Sequence, residues 1–234
     1  MLSSFLLADE KISLGFGPYI QSQPYHQTDP ILLPTPVIFF DYEIFYVRWS
    51  RLGVYFLGEE NWGFSLTLQP RASGYKASDS AILTGMDTRY SSWEGGLSLA
   101  GKNDYGFAEM LIMNDLMHHS DGYMVRGELG TMWQHDAWSL VPSVLLIYFS
   151  QDFNNYYYGV SEHEATEHRP FYKPDGGVNV AIQSYLNYDL SSHWRILANA
   201  RIDRLDTTIV RSPIVSDNTI ISGMISLIYN FDLH

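Results

Sequence analysis

Between Thr219 and Phe231 the chain sorts its side chains into two rows at a period of two. Ile221, Gly223, Ile225, Leu227, Tyr229 and Phe231 make one continuous apolar row, while Ser222, Ser226 and Asn230 interrupt the other. Period two belongs to β-strands, whose successive side chains point to opposite faces. A strand of this length, greasy on one face and ending in an aromatic near the C-terminus, suits the closing strand of an outer-membrane β-barrel. Lipid would cover one side, and water or polar packing the other.

The same division recurs upstream. Trp194, Ile196, Ala198, Ala200 and Ile202 oppose Arg195, Leu197, Asn199, Arg201 and Asp203; Val178, Val180, Ile182 and Leu186 oppose Asn179, Ala181, Gln183 and Asn187. Tyr123, Val125, Leu129 and Trp133 oppose Arg126, Glu128 and Gln134, and Trp62, Phe64, Leu66 and Leu68 oppose Gly63, Ser65, Thr67 and Gln69. A soluble β-sandwich alternates too, but its strands average about 5–6 residues, whereas a tilted strand needs roughly 9–11 to cross a bilayer. These segments are of the longer kind. Aromatic residues gather near their ends, at Trp62, Trp93, Trp138, Trp194, Tyr229 and Phe231, as interfacial girdles require.

Composition agrees. Aromatic residues make up 15% of the 234 and charged residues only 17%, yet no run approaches the roughly 18 apolar residues of a helical span. With no cysteine, neither a disulfide framework nor a thiolate metal site is available. A net charge of −12 argues against nucleic acid as a partner. No linker or repeat divides the chain, so residues 9–234 are expected to form one barrel domain, with Met1 to Ala8 resembling the tail of a secretory leader.

The joins between segments alternate in length. Those around Glu43, Glu60-Asn61, Asn103-Asp104, Asp136 and Ser191-Ser192 are tight; Gln21 to Thr35, Gly74 to Tyr90, Leu116 to Gly122, Gln151 to Gly176 and Asp206 to Asn218 are long. Short periplasmic turns and long extracellular loops on an antiparallel transmembrane barrel of about twelve strands account for this. The count turns on Ser50-Arg51, read either as a turn or as a bulge inside one long strand. Because Arg or Lys facing hydrocarbon at the midplane costs about 2–4 kcal/mol, Glu94, Arg126, Glu128, Arg195, Arg201 and Asp203 are assigned to the lumen. They leave it either plugged by paired charges or open as a narrow pore.

In order along the chain, Pro34-Thr35-Pro36-Val37-Ile38, Asp115 with Ser120 and Gly122, Asn155-Tyr156-Tyr157-Tyr158-Gly159-Val160-Ser161, and Ala200-Arg201 through Ser212-Pro213-Ile214-Val215 resemble the MipA/OmpV family. These are the outer-membrane proteins of Gram-negative bacteria that include the MltA-interacting protein. The resemblance implies a non-enzymatic barrel without cofactors, in contact with outer-membrane lipid and lipopolysaccharide. It further implies a scaffold that links a periplasmic murein hydrolase to a murein synthase, or an adhesin. A porin-like channel for small solutes is the other reading.

Three segments carry candidate chemistry. Tyr156, Tyr157, Tyr158 and Gly159 suit stacking on carbohydrate or peptide, or packing into the barrel mouth. His118-His119-Ser120-Asp121 holds hydrolase residue types, but neighbours on an extended segment point apart, so a polar hairpin is the better reading. Glu162 to His168 offers imidazole and carboxylate to a divalent cation, against the plainer reading of a solvated acidic loop, and no metal site is assigned.

Overall fold

The computed structural model describes residues 11–232. Thirteen hydrogen-bonded segments close into a ring: β1 Lys11–Gln21, β2 Ile31–Tyr42, β3 Phe45–Arg48, β4 Arg51–Glu59, β5 Trp62–Arg71, β6 Ser92–Asn103, β7 Gly106–Asp115, β8 Tyr123–Gly130, β9 Trp133–His135, β10 Trp138–Phe149, β11 Gly177–Asp189, β12 Trp194–Arg204 and β13 Thr219–Asp232. Every pairing is antiparallel, and β13 against β1 seals the cylinder. β8 and β9 both pair with β10 and are parted only by Thr131-Met132, so they form one stave and the barrel has twelve. Among the described residues no helix is long and apolar enough to cross a membrane.

The two rows read from the sequence face as expected. On β13, Ile221, Ile225, Leu227 and Phe231 lie exposed on the outside, while Ser222, Met224, Ser226 and Ile228 are buried. The interior is more apolar than alternation alone suggests: Leu111, Met113, Met124, Leu145, Ile147 and Phe149 pack inside the β7–β10 wall.

Ser50 belongs to a two-residue turn, not a bulge, since Arg48 pairs directly with Arg51 across it. The bulge lies in β4, where the register shifts between Tyr55 and Leu57. β2 begins at Ile31, five residues before the start expected from Pro34 and Pro36, because a proline is tolerated in a strand wherever its missing N–H faces no partner.

The long connections fold on top of the barrel. Tyr25, Tyr75, Leu83, Met86, Val160, Leu205, Ile209, Ile214 and Val215, drawn from four extracellular loops, make a separate apolar core. It includes a 3₁₀ turn at Ala81–Leu83 and two helices, α1 Gln151–Tyr158 and α2 Thr207–Val210. Ser150 caps α1, its hydroxyl accepting from the Phe153 N–H, and Asp206 caps α2 through Thr208 N–H. Residues 1–8, read as a leader, lie outside the described residues.

Candidate functional site

Inside the barrel a band of ion pairs lines the lumen. Arg51 donates to Glu109 at 2.6 Å, and Arg126 donates to the other oxygen of the same carboxylate. Glu128 extends the network, accepting from Ser143 and Gln183 at 2.7 Å each. Arg48 pairs with Asp41 at 3.0 Å and Arg201 with the Asp203 two residues on, its Nε donating at 2.8 Å. Arg71 makes a two-point contact with Glu94 and stands 4.7 Å from the Phe153 ring of α1, tying the cap to the wall. Of the charges assigned to the lumen from sequence, Arg126, Glu128, Arg201 and Asp203 line one cavity of about 550 Å³. Glu94 is buried against β5, and Arg195 sits near the periplasmic end with Asp189 at 2.5 Å. Sequence reasoning missed Arg48, Arg51, Arg71 and Glu109. The inward parity of Glu109, in register with Leu111 and Met113, was the available signal.

The tyrosine run lies on α1. Tyr157 is 2% exposed, its hydroxyl donating to the Tyr90 carbonyl and its own carbonyl accepting from Tyr25. The Tyr156 hydroxyl accepts from Tyr90 N–H, and Tyr158 packs on the cap core while its carbonyl accepts from Ser212. Gly159 ends the helix with a negative φ of −75°; a Cβ there would meet the Asn155 carbonyl at 2.4 Å, so close approach explains the glycine. Three tyrosines thus hold α1 in the mouth, and the face they offer to ligands is small.

A buried carboxylate pins the cap. Glu164, whose side chain is fully buried, accepts from Arg89 at 2.7 and 2.9 Å, from the Ser161 hydroxyl at 2.7 Å and from the Asp87 and Ser161 N–H groups. Burial alone would raise its pKa, but those donors together outweigh it and hold the carboxyl down at about 2. Arg169 in turn donates to the carbonyls of Glu164, Thr84 and Ile82. Asp87, His163 and Glu164 bring ligand atoms together, yet the Glu164 oxygens already accept five hydrogen bonds.

In the neighbouring hairpin at the same rim, His118 faces Asp121 at 2.7 Å, His119 faces the Ser91 carbonyl and Ser120 donates to Asp115. Serine and histidine therefore look to different partners. Nothing there assembles a nucleophile and its base.

The profile of the family described as MltA-interacting protein MipA matches residues 14–231. The MltA-interacting protein of Escherichia coli K12 is 27% identical over 222 residues, covering 94% of this chain and 89% of its own. The outer membrane protein OmpV of Vibrio cholerae is 28% identical over 141 residues, 60% of this chain and 55% of its own. Among solved structures, an outer membrane channel from Pseudomonas putida F1 superposes over 98% of both chains at 8% identity and a TM-score of 0.44.

Proposed function

The chain belongs to the family of the MltA-interacting protein MipA, and on that premise we propose that this outer-membrane barrel is a non-enzymatic interaction protein whose periplasmic rim engages murein-processing enzymes. One observation carries the reading: the packed loop core covers the extracellular mouth, and the Arg51–Glu109–Arg126 ion pairs narrow the lumen beneath it. A barrel capped and narrowed in this way favours surfaces over a route. Four of the five periplasmic turns expose an acid, at Glu43, Glu60, Asp104 and Asp136; the fifth, Ser191-Ser192, does not. Turns this short form a flat anionic ring, suited to a weak, steered contact with a basic surface rather than a deep pocket.

Retention of a periplasmic murein hydrolase and synthase on the immobilised barrel tests this. Binding that falls as salt rises from low to physiological strength is expected; no retention at any ionic strength would remove the scaffold reading. The channel reading rests on the 550 Å³ lumen cavity. It predicts steady single-channel current in a planar bilayer, where the interaction reading predicts none.

A further inference from the structure

The barrel wall is incomplete between β2 and β5. β3 has only four residues, and its pairing with β2 ends at the bond from Trp49 N–H to the Ile38 carbonyl. β4 pairs with β5 no higher than Leu52 with Leu68. Above the β3–β4 hairpin, residues 31–37 of β2 bond only to β1, and Gln69, Pro70 and Arg71 of β5 only to β6. Two strand edges therefore face each other across a notch with the hairpin as its sill.

Hydrogen-bond parity shows that these edges are made to stay unpaired. The Ile38 carbonyl faces β3, so the even residues of β2 turn their backbone groups that way, and Pro34 and Pro36 are the next two of that set. On β6 the Trp93 carbonyl faces β7, so even residues of β6 bond odd residues of β5, and the even residues of β5 face β4. Pro70 is the even residue above Leu68. Pro34, Pro36 and Pro70 thus remove three of the four N–H groups that would point into the notch, leaving that of Leu32, and so lower the cost of a bare strand edge in hydrocarbon.

The notch opens at membrane depth. Directly paired residues lead from Trp194 in the periplasmic girdle through Tyr229 and Leu14 to Ile38 beside Trp49. Beyond the hairpin the line resumes at Leu52 and runs through Leu68, Gly95 and Asn114 to Tyr123 at the extracellular girdle. On tilted strands such a line climbs from one interface to the other, which puts the hairpin tip near the bilayer centre and the notch in the outer leaflet. Outward-facing Leu32 and Leu52 flank it. Behind it lies the 550 Å³ cavity, lined here by Tyr19, Leu33, Trp49, Arg51 and Arg71. Trp49 occupies the sill at a φ of +59°, a value costly for an aromatic residue, and sets its ring against Tyr19 at 5.8 Å. Its indole N–H is buried, with no acceptor among the described residues.

We propose that this notch is a lateral binding site for a single-chain amphiphile of the outer leaflet. The acyl chain lies between the proline edges in hydrocarbon, and an acceptor head such as a carboxylate reaches inward to the Trp49 indole N–H. Both halves of the ligand then meet their own solvent.

The test uses the full chain reconstituted in vesicles and titrated with 9,10-dibromostearate, a bromine quencher of tryptophan. Subtracting the Trp49→Phe signal isolates Trp49. Saturable quenching of that component, at probe fractions below those that quench the girdle tryptophans, is expected. Filling the cavity behind the notch by Thr35→Trp should raise half-saturation by about tenfold, equivalent to roughly 1.4 kcal/mol, while the electrophoretic shift on boiling persists. Quenching of Trp49 that rises linearly and in step with the girdles overturns the proposal, as does a folded Thr35→Trp variant with unchanged half-saturation. Should that variant fail to fold, competition decides: unlabelled palmitate must displace the probe and hexadecane must not.

Discussion

Glu164 is the residue on which the extracellular cap depends most. Five hydrogen bonds converge on a carboxylate with no solvent exposure, and through Arg89 and the Asp87 N–H they tie the loop of residues 72–91 to the loop that carries Glu164 and Arg169. Replacing it by alanine leaves the Arg89 guanidinium buried without its counter-ion, a change that costs about 3–5 kcal/mol in comparable settings. Limited proteolysis in residues 72–91 should quicken by orders of magnitude while the barrel keeps its boiling shift. The pH dependence has a definite sign. An unfolded glutamate titrates near about 4.3 and the folded group near 2, so its stabilising contribution is complete above the former value and is lost as pH falls through the latter. Loop proteolysis by an acid-active protease should therefore accelerate between those limits in the native chain, and the Glu164→Ala variant should lack that step. On the outer wall the sensitive position is different: Ile225→Arg puts a cation into lipid from a site 64% exposed and should lower barrel stability by about 2–4 kcal/mol, measured as a shift of the urea midpoint.

At the scale of elements, the prolines decide whether the notch is real. Pro34→Ala with Pro36→Ala restores two N–H groups facing an edge where no strand lies, and each unsatisfied donor in hydrocarbon costs several kcal/mol. The double variant should unfold at lower urea, or pair edge to edge into dimers resistant to dodecyl sulfate. An unchanged midpoint in a monomer would mean the edge is hydrated. The same prolines mark the boundary of what sequence could tell. Twelve staves were legible because lipid and lumen impose period two on every long segment, as in Trp194 to Arg204. The start of β2 was not, since Pro34 and Pro36 resemble loop residues until the missing neighbour is known. α1 escaped for a related reason: Asn154, Tyr156 and Tyr157 are mediocre helix formers, and burial of Phe153 and Tyr157 against Phe149 supplies what propensity lacks. The partners of the lumen charges were hidden too, because Arg51 and Glu109 lie on strands that share no edge and meet only across the closed cylinder.

For the whole molecule, the question is how the loop cap and the ion-pair band divide the work of narrowing the lumen. The cap is a hydrophobic core of its own, joined to the wall chiefly by Phe153 on Phe149 and by Arg71 beneath it. The lower obstruction is electrostatic, and Arg51, Glu109, Arg126 and Glu128 hold one another within the low-dielectric barrel. Replacing residues 152–175 by a short glycine-serine turn removes α1 and the Glu164 anchor together, but leaves that band intact. Such a deletion should admit a small thiol reagent to a cysteine introduced at Ser73 below the cap, the native chain having none, while planar bilayers still show no steady current. Conductance should appear only when the deletion is combined with Arg51→Ser and Glu109→Ser, because removing one partner alone leaves a buried charge that opposes ions of its own sign. Steady current from the cap deletion by itself would place the whole barrier in the loops and make the ion pairs a lining rather than a plug.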